Sequence, residues 1–379
     1  MKRTLSILLV LVMAFTCMMT AVAEDEAITL AVIGPMTGGA AVYGTAVQYG
    51  ATIAANEINE MAGKTVINLI IEDDTHDAER ALSAYGHAVD NGAQAIVGTV
   101  TTTPCIAVSA QAFDDRVFML TPSASSTAVT ADKDNCYQLC FTDPAQGTLA
   151  AQYILGNKLG ETIGVIYNIS DPYSVGIYQT FVDECAAQGV TIAATEAFIE
   201  GAADYSVQVN AMKSAGCDVV FLPMYYTPAS QILIQAKTVD YAPKFFGVDG
   251  MDGILTIDGF DAANAEGVLL LTPFAADATD DLTQNFVTKY VAAYNEIPNQ
   301  FAADAYDCVY AMYAAFQKAG LDGTSSYEDC CEALIAVFSG DFEIVGVTGT
   351  MSWDDTGAVT KSPNAVIIKN GVYVSPENY

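Results

Sequence analysis

From about residue 28 onward, apolar and polar positions alternate between two rhythms. Short apolar runs at Ile28 to Ile33, Val66 to Ile71, Ala95 to Val97 and Val117 to Leu120 read as buried parallel strands. Helical spacing over Val42 to Met61 and Asp77 to Asn91 fills the gaps, with a further helix-like stretch between the last two strands. After Asp143-Pro144 the pattern starts afresh with a helix to Leu159, a strand at Ile163 to Tyr167, a helix at Tyr173 to Gln188 and a strand at Val190 to Phe198. Helices at Tyr205 to Ala215 and Pro228 to Thr238 then alternate with strands at Asp218 to Leu222 and Lys244 to Gly247. Near Gly267 to Leu271 the chain leaves this second set. Three helices, at about 281–294, 302–319 and 327–338, are expected to return to the first domain, with polar loops between them. A turn at Asp354 to Gly357 precedes a last hairpin, Ala365 to Ile368 and Val372 to Val374, around Asn370-Gly371.

Strict βα alternation predicts parallel sheets covered by helices on both faces. The fold class is therefore α/β, and two such domains joined by several crossings suit a hinged clamp.

The stretch from 93 to 127 carries the first candidate chemistry. Each of its two strands ends abruptly in small hydroxyl residues: Thr101, Thr102 and Thr103 after the first, then Thr121, Ser123, Ser125, Ser126 and Thr127 after the second. Parallel strands present their carboxyl ends on one edge, where ligands bind. Adjacent ends would gather hydroxyls and free N–H groups that suit a small carboxylate. The same residue types are also favoured as turn residues and helix N-caps.

Residues 1–23 have the form of an export signal. Lys2-Arg3 is the basic start, Leu5 to Phe15 the apolar run and Ala21-Val22-Ala23 the cleavage site, so the mature chain is expected to begin at Glu24. The apolar run is too short for a stable membrane span. Thr16 and Ala14 do not suit a lipid attachment at Cys17, and soluble export is the better reading.

Charge narrows the partners. Acidic residues outnumber basic ones 45 to 14, for a net charge of −31. Nucleic acid and anionic membrane both require a basic face, so neither is an expected partner. Eight of the nine cysteines lie beyond the cleavage site. Export permits disulfides, although a chain of this length does not need them. Cys136 and Cys140, if on one strand, would lie too far apart to bridge. No C-x-x-C occurs and the two histidines, His76 and His87, lack partner cysteines, so neither metal nor cofactor is expected. The acidic run from Glu72 to Asp77 is compatible with cation capture, or with a strand end followed by a helix N-cap. An enzyme would need a nucleophile or acid–base pair held by a partner, and the chain carries no G-x-S-x-G or Walker loop.

One stretch after another resembles the leucine/isoleucine/valine-binding protein family, the exported receptors of branched-chain amino acid ABC importers. IGPMTGGAAVYG, Ile33 to Gly44, is similar to the family's opening motif, and Ala54-Ala55-Asn56-Glu57-Ile58-Asn59 to the stretch that follows. The likeness runs over essentially the whole mature chain. It implies a type I periplasmic-binding fold: lobe 1 from 24–144 and 273–352, lobe 2 from 145–272 and 353–379, and a three-crossing hinge near 143–145, 270–274 and 350–354. It also implies a receptor, not an enzyme, that captures an amino acid between the lobes, works as a monomer and delivers its cargo to membrane permease subunits.

The resemblance assigns roles as well. Thr102 falls where the family places its carboxylate-binding serine, and Ser123 and Ser125 where backbone and hydroxyl meet both ends of the zwitterion. Asp249, in FFGVDGMDG, takes the place of the ammonium-binding acid. Tyr173 and Tyr225 match the tyrosines that close over the ligand. Tyr43 stands where a tryptophan is common in the side-chain pocket, and Phe301 belongs to the same wall. Each residue also has a plainer reading: Asp249 as a turn aspartate before Gly250, Tyr225 and Tyr226 as core residues at a strand end, Tyr43 packing on its own helix. Other small polar ligands, such as an amide, urea or an aromatic acid, and a ligand-sensing receptor component are the alternatives. Asp249 favours an amino acid over them.

Overall fold

The structure is a computed structural model, described here for residues 26–361 and 364–376. The export signal read at residues 1–23 lies outside the described residues.

Five parallel strands form the first sheet in the order β2-β1-β3-β4-β5: β1 (Ile28–Gly34), β2 (Ile67–Asp73), β3 (Ala95–Gly98), β4 (Phe118–Thr121) and β5 (Cys136–Gln138). Successive strand residues point to opposite faces, and both faces are buried. Ala31, Ile33, Ile96 and Met119 pack on α2 (Ala78–Asp90) and α3 (Thr102–Asp115). Leu30, Val32, Val97 and Leu120 pack on the other side with α1 (Ala41–Ala62). Glycine ends α1, since Gly63 adopts φ 66°, which an L side chain resists.

The second sheet has the order β14-β13-β10-β9-β8-β6-β7. Its members are β6 (Ile163–Asn168), β7 (Ala194–Phe198), β8 (Val219–Leu222), β9 (Lys244–Gly247), β10 (Leu269–Thr272) and the hairpin β13 (Asn364–Lys369) and β14 (Val372–Val374). All are parallel except the hairpin, which adds antiparallel to β10. Val165, Phe221, Phe246 and Leu271 face α4 (Asp143–Gly156) and α5 (Pro172–Ala187). Ile166, Val220, Leu222 and Leu270 face α6 (Ser206–Ser214) and α7 (Tyr226–Thr238). Both lobes are thus doubly wound. Asn370 and Gly371 both take positive φ, 52° and 75°, as a two-residue Asn-Gly hairpin turn demands.

Three later helices, α8 (Asp281–Tyr294), α9 (Gln300–Ala319) and α10 (Tyr327–Phe338), pack on the first sheet and α1. The α1–α9 crossing is tight enough that a Cβ at Gly50 would overlap the Ala302 carbonyl. A hairpin, β11 (Glu343–Gly346) and β12 (Gly349–Ser352), follows them in a stretch for which the sequence pattern indicates no element. Its strands are half exposed and carry no apolar run, and the Asp307 carboxylate fixes its turn by accepting from Val347 and Thr348 N–H at 2.9 Å each. The strand expected from Val190 begins only at Ala194.

Among the described residues three segments connect the sheets: 139–142, 273–280 and 353–361. The first and last run side by side. Gln138 N–H donates to the Gly357 carbonyl at 2.9 Å, and Trp353 Nε1 donates to the Gln138 carbonyl at 2.8 Å. Lys361 Nζ meets Asp304 at 2.7 Å and the Leu139 carbonyl at 3.2 Å, with both ionic side chains nearly sealed from water. All eight cysteines among the described residues are free thiols and buried. Strand β5 ends at Gln138, so Cys140 lies beyond the strand that holds Cys136.

Candidate functional site

In an open α/β sheet a crevice forms where helices after two adjacent strands leave to opposite faces. In the first sheet these strands are β1 and β3, followed by α1 on one face and α3 on the other. In the second they are β6 and β8, followed by α5 and α7. Residues from both strand-end clusters line one small closed cavity: Tyr43, Val100, Thr101, Thr102, Ser123 and Phe301 from the first lobe, and Tyr173, Tyr225, Asp249 and Gly250 from the second.

Its first-lobe wall is a donor wall. Thr102 opens α3, so the backbone N–H groups of that first turn have no intrahelical partner and favour an anion. Thr101 sits in N-cap geometry but does not cap; its hydroxyl is instead 2.8 Å from His76 Nδ1. The Thr102 hydroxyl is 1% exposed and has no hydrogen-bond partner among the described residues. Ser123 donates its hydroxyl to the Val100 carbonyl at 2.7 Å.

The opposite wall carries the acid. Asp249, 4% exposed, follows β9 and accepts from the Tyr173 phenol at 2.5 Å. Tyr173 in turn accepts from Gly250 N–H at 2.9 Å. Two glutamines fix the backbone: Gln146 accepts from Asp249 N–H at 3.2 Å, and Gln300 Nε2 donates to the Asp249 carbonyl at 2.8 Å. Burial pushes the Asp249 carboxyl up to about 6, against the pull of the Tyr173 hydrogen bond. No cation offsets that burial in the closed cavity; a ligand ammonium would.

Aromatic rings close the rest. Tyr173 and Tyr225 stack with centroids 4.7 Å apart, and Phe301 lies 4.3 Å from Tyr43. The Tyr43 phenol crosses the cleft to donate to the Gly250 carbonyl.

Of the eight residues assigned from sequence, seven line this cavity: Tyr43, Thr102, Ser123, Tyr173, Tyr225, Asp249 and Phe301. Ser125 does not. Fully buried, it donates to Asp143 at 2.7 Å, so its hydroxyl braces the start of α4. Gln146, Gln300 and His76 were not assigned, since a lone polar residue in a helix or loop carries no spacing signal. The acidic run has local duties: Asp73 holds the Met36 and Thr37 N–H groups, and Asp77 caps α2 at Arg80 N–H.

The cavity measures about 10 Å³, room for roughly one water. An amino acid can be seated between these walls only when the lobes part.

With this geometry in hand, similarity to known proteins becomes informative. The family model described as periplasmic binding protein matches residues 27–361. The Leu/Ile/Val-binding protein BraC3 of Rhizobium johnstonii is 29% identical over 337 residues, covering 88% of this chain and 89% of that one. A leucine-binding protein, LivK, from Thermotoga maritima superposes with TM-score 0.82 at 26% identity, covering 92% of this chain and 98% of its own. LivJ of Streptococcus pneumoniae, solved with isoleucine, gives TM-score 0.83 at 26% identity and the same coverage.

Proposed function

The chain belongs to the periplasmic binding protein family, and on that premise we propose that it captures an amino acid between its lobes for an ABC importer. One observation carries the reading. A buried carboxylate, Asp249, and an unpartnered buried hydroxyl at a helix start, Thr102, line one cavity from opposite lobes. A zwitterion needs that pairing, with an acid for its ammonium and donors for its carboxylate. Tyr43, Tyr173, Tyr225 and Phe301 supply the apolar walls that suit a branched-chain or larger apolar side chain. Relatives named for leucine, isoleucine and valine support the same class.

Closure follows from the placement. The ligand bridges a lobe of 24–144 plus 273–352 to one of 145–272 plus 353–379, with bending at the three connecting segments. Export by the signal at 1–23, cleaved after Ala23, would bring a monomer to its permease outside the cytoplasm. Among the described residues no helix is long and apolar enough to cross a membrane.

A thermal-shift screen against the twenty amino acids tests the reading. A ligand at a hundredfold its dissociation constant stabilises by about 2.7 kcal/mol. Leucine, isoleucine or valine should give the largest shift among the amino acids. A flat response to all twenty overturns it, and a shift with an aromatic acid or amide alone selects the alternative ligand class.

A further inference from the structure

The two lobes also touch each other directly, beside the ligand cavity. Tyr226 and Thr227 open α7 in the second lobe, immediately after the cavity residue Tyr225. Both donate their hydroxyls to one first-lobe acceptor, the Gly39 carbonyl, at 2.9 and 3.0 Å. Tyr226 N–H donates to the Tyr43 hydroxyl at 3.1 Å, and the Tyr43 and Tyr226 rings meet edge to face at 4.8 Å. Neither Tyr226 nor Thr227 lines the ligand cavity.

The acceptor is built for the contact. Gly38 adopts φ 88°, a conformation that favours glycine, and so turns the loop that presents the next carbonyl. The same loop is anchored upstream by Asp73, which accepts from Met36 N–H at 2.8 Å and from the Thr37 hydroxyl at 2.6 Å. A fixed carbonyl on one lobe thus meets two hydroxyls at a helix start on the other. When the lobes part, all three groups pass to water, so the pair distinguishes closed from open without touching ligand.

We propose that Tyr226 and Thr227 form a latch with the Gly39 carbonyl that favours closure on its own and thereby sets how long a ligand is held. The inference rests on the reading of the cleft as the ligand site, but its first consequence needs no ligand. A ligand enters the parted lobes and is enclosed as they shut, so a contact made only in the closed form stabilises the enclosed complex. A latch that resists opening slows the release of every ligand by the same factor and leaves their ranking unchanged. It acts on the dissociation rate, because opening must precede release.

The test compares the parent with Tyr226→Phe/Thr227→Val, which keeps the ring and the side-chain volumes while deleting both donors. Thr227→Val alone serves as a milder second variant should the double one melt early. Small-angle scattering of the ligand-free mature chain should show a larger radius of gyration for the double variant than for the parent. Stopped-flow release of the best amino acid from the screen should be about tenfold faster, equivalent to ~1.4 kcal/mol, with association no slower than in the parent. Preference among amino acids should be conserved, and Thr227→Val should fall between parent and double variant. An unchanged ligand-free radius overturns the latch. So does a release rate within twofold of the parent, or a reordered preference, which would place the pair in ligand recognition. If no amino acid binds the parent, the ligand reading falls while scattering still decides the latch.

Discussion

Replacing Asp249 by Asn is the most direct test of the proposed site. The substitution keeps the side-chain shape and one acceptor for the Tyr173 phenol, so packing in the 10 Å³ cavity is nearly conserved. What it removes is a charge 4% exposed to solvent, on a wall where no basic residue lines the cavity. Deleting one partner of a desolvated, hydrogen-bonded charge pair costs about 2–5 kcal/mol. Affinity for the best amino acid should therefore fall at least about a hundredfold, or ~2.7 kcal/mol, by isothermal titration at pH 7.5. The raised carboxyl adds a second signature. Burial favours its neutral form, so in the closed cleft a proton competes with the ligand ammonium once pH falls below about 6. Binding by the parent should weaken progressively from pH 7 to pH 5, whereas Asp249→Asn should be flat over that range. A variant that binds within a few-fold of the parent, or a parent indifferent to pH, would refute the assignment of the ammonium site.

Three further outcomes are expected. Thr102→Ala should cost about 1–2 kcal/mol of affinity, since backbone donors share the carboxylate, and Thr102→Ser should recover most of it; equal losses in calorimetry would place the hydroxyl outside the site. Asp74, fully buried with one carboxylate oxygen unpartnered, is raised to about 7 by burial and by its acidic neighbours. A folded pKa above the unfolded one stabilises at low pH, and that contribution is lost as pH rises through 7. Asp74→Asn should therefore raise stability by on the order of 2 kcal/mol at pH 8 and leave it unchanged near pH 4, with parallel melting curves as the refuting result. Lys361→Met should destabilise by about 3–5 kcal/mol in urea, because it strands the buried Asp304, and Lys361→Met/Asp304→Leu should regain most of the loss. A double variant as unstable as the single one would show that the ion pair does more than neutralise itself.

Sequence made the scaffold legible where burial is two-sided. β3, β4 and β8 are continuous apolar runs, and the helices between them keep their period, so alternation alone indicates both parallel sheets. It failed at β11 and β12, whose half-exposed strands depend on Asp307, 40 residues earlier, for their turn. The hydroxyl wall of the cavity was readable for a similar reason, since the clusters after β3 and β4 stand out against apolar runs, whereas Asp249 and the aromatic residues were assigned through the family resemblance. Ser125 shows the limit. Its hydroxyl serves Asp143, 18 residues on, and nothing in the composition of either stretch marks that bond. Gln146 and Gln300 were hidden because their value lies in holding the Asp249 backbone from distant helices. Tyr226 was visible as one of a tyrosine pair, yet its partner Gly39 lies 187 residues away.

Gln138, the last residue of β5, pairs with Trp353 and Gly357, and Lys361 donates to the Leu139 carbonyl, so two of the three connecting segments are tied side by side and that pairing restricts how the molecule can move. Independent strands would let one lobe slide, shear or unscrew against the other. A bonded pair resists relative translation along its length and passes on mainly a bend. The lobes are then left with few degrees of freedom, close to those of a door on a piano hinge. Each swing would bring the Asp249 wall back to the Thr102 wall in the same alignment, so recognition at the proposed site would be repeatable although its two halves belong to different bodies.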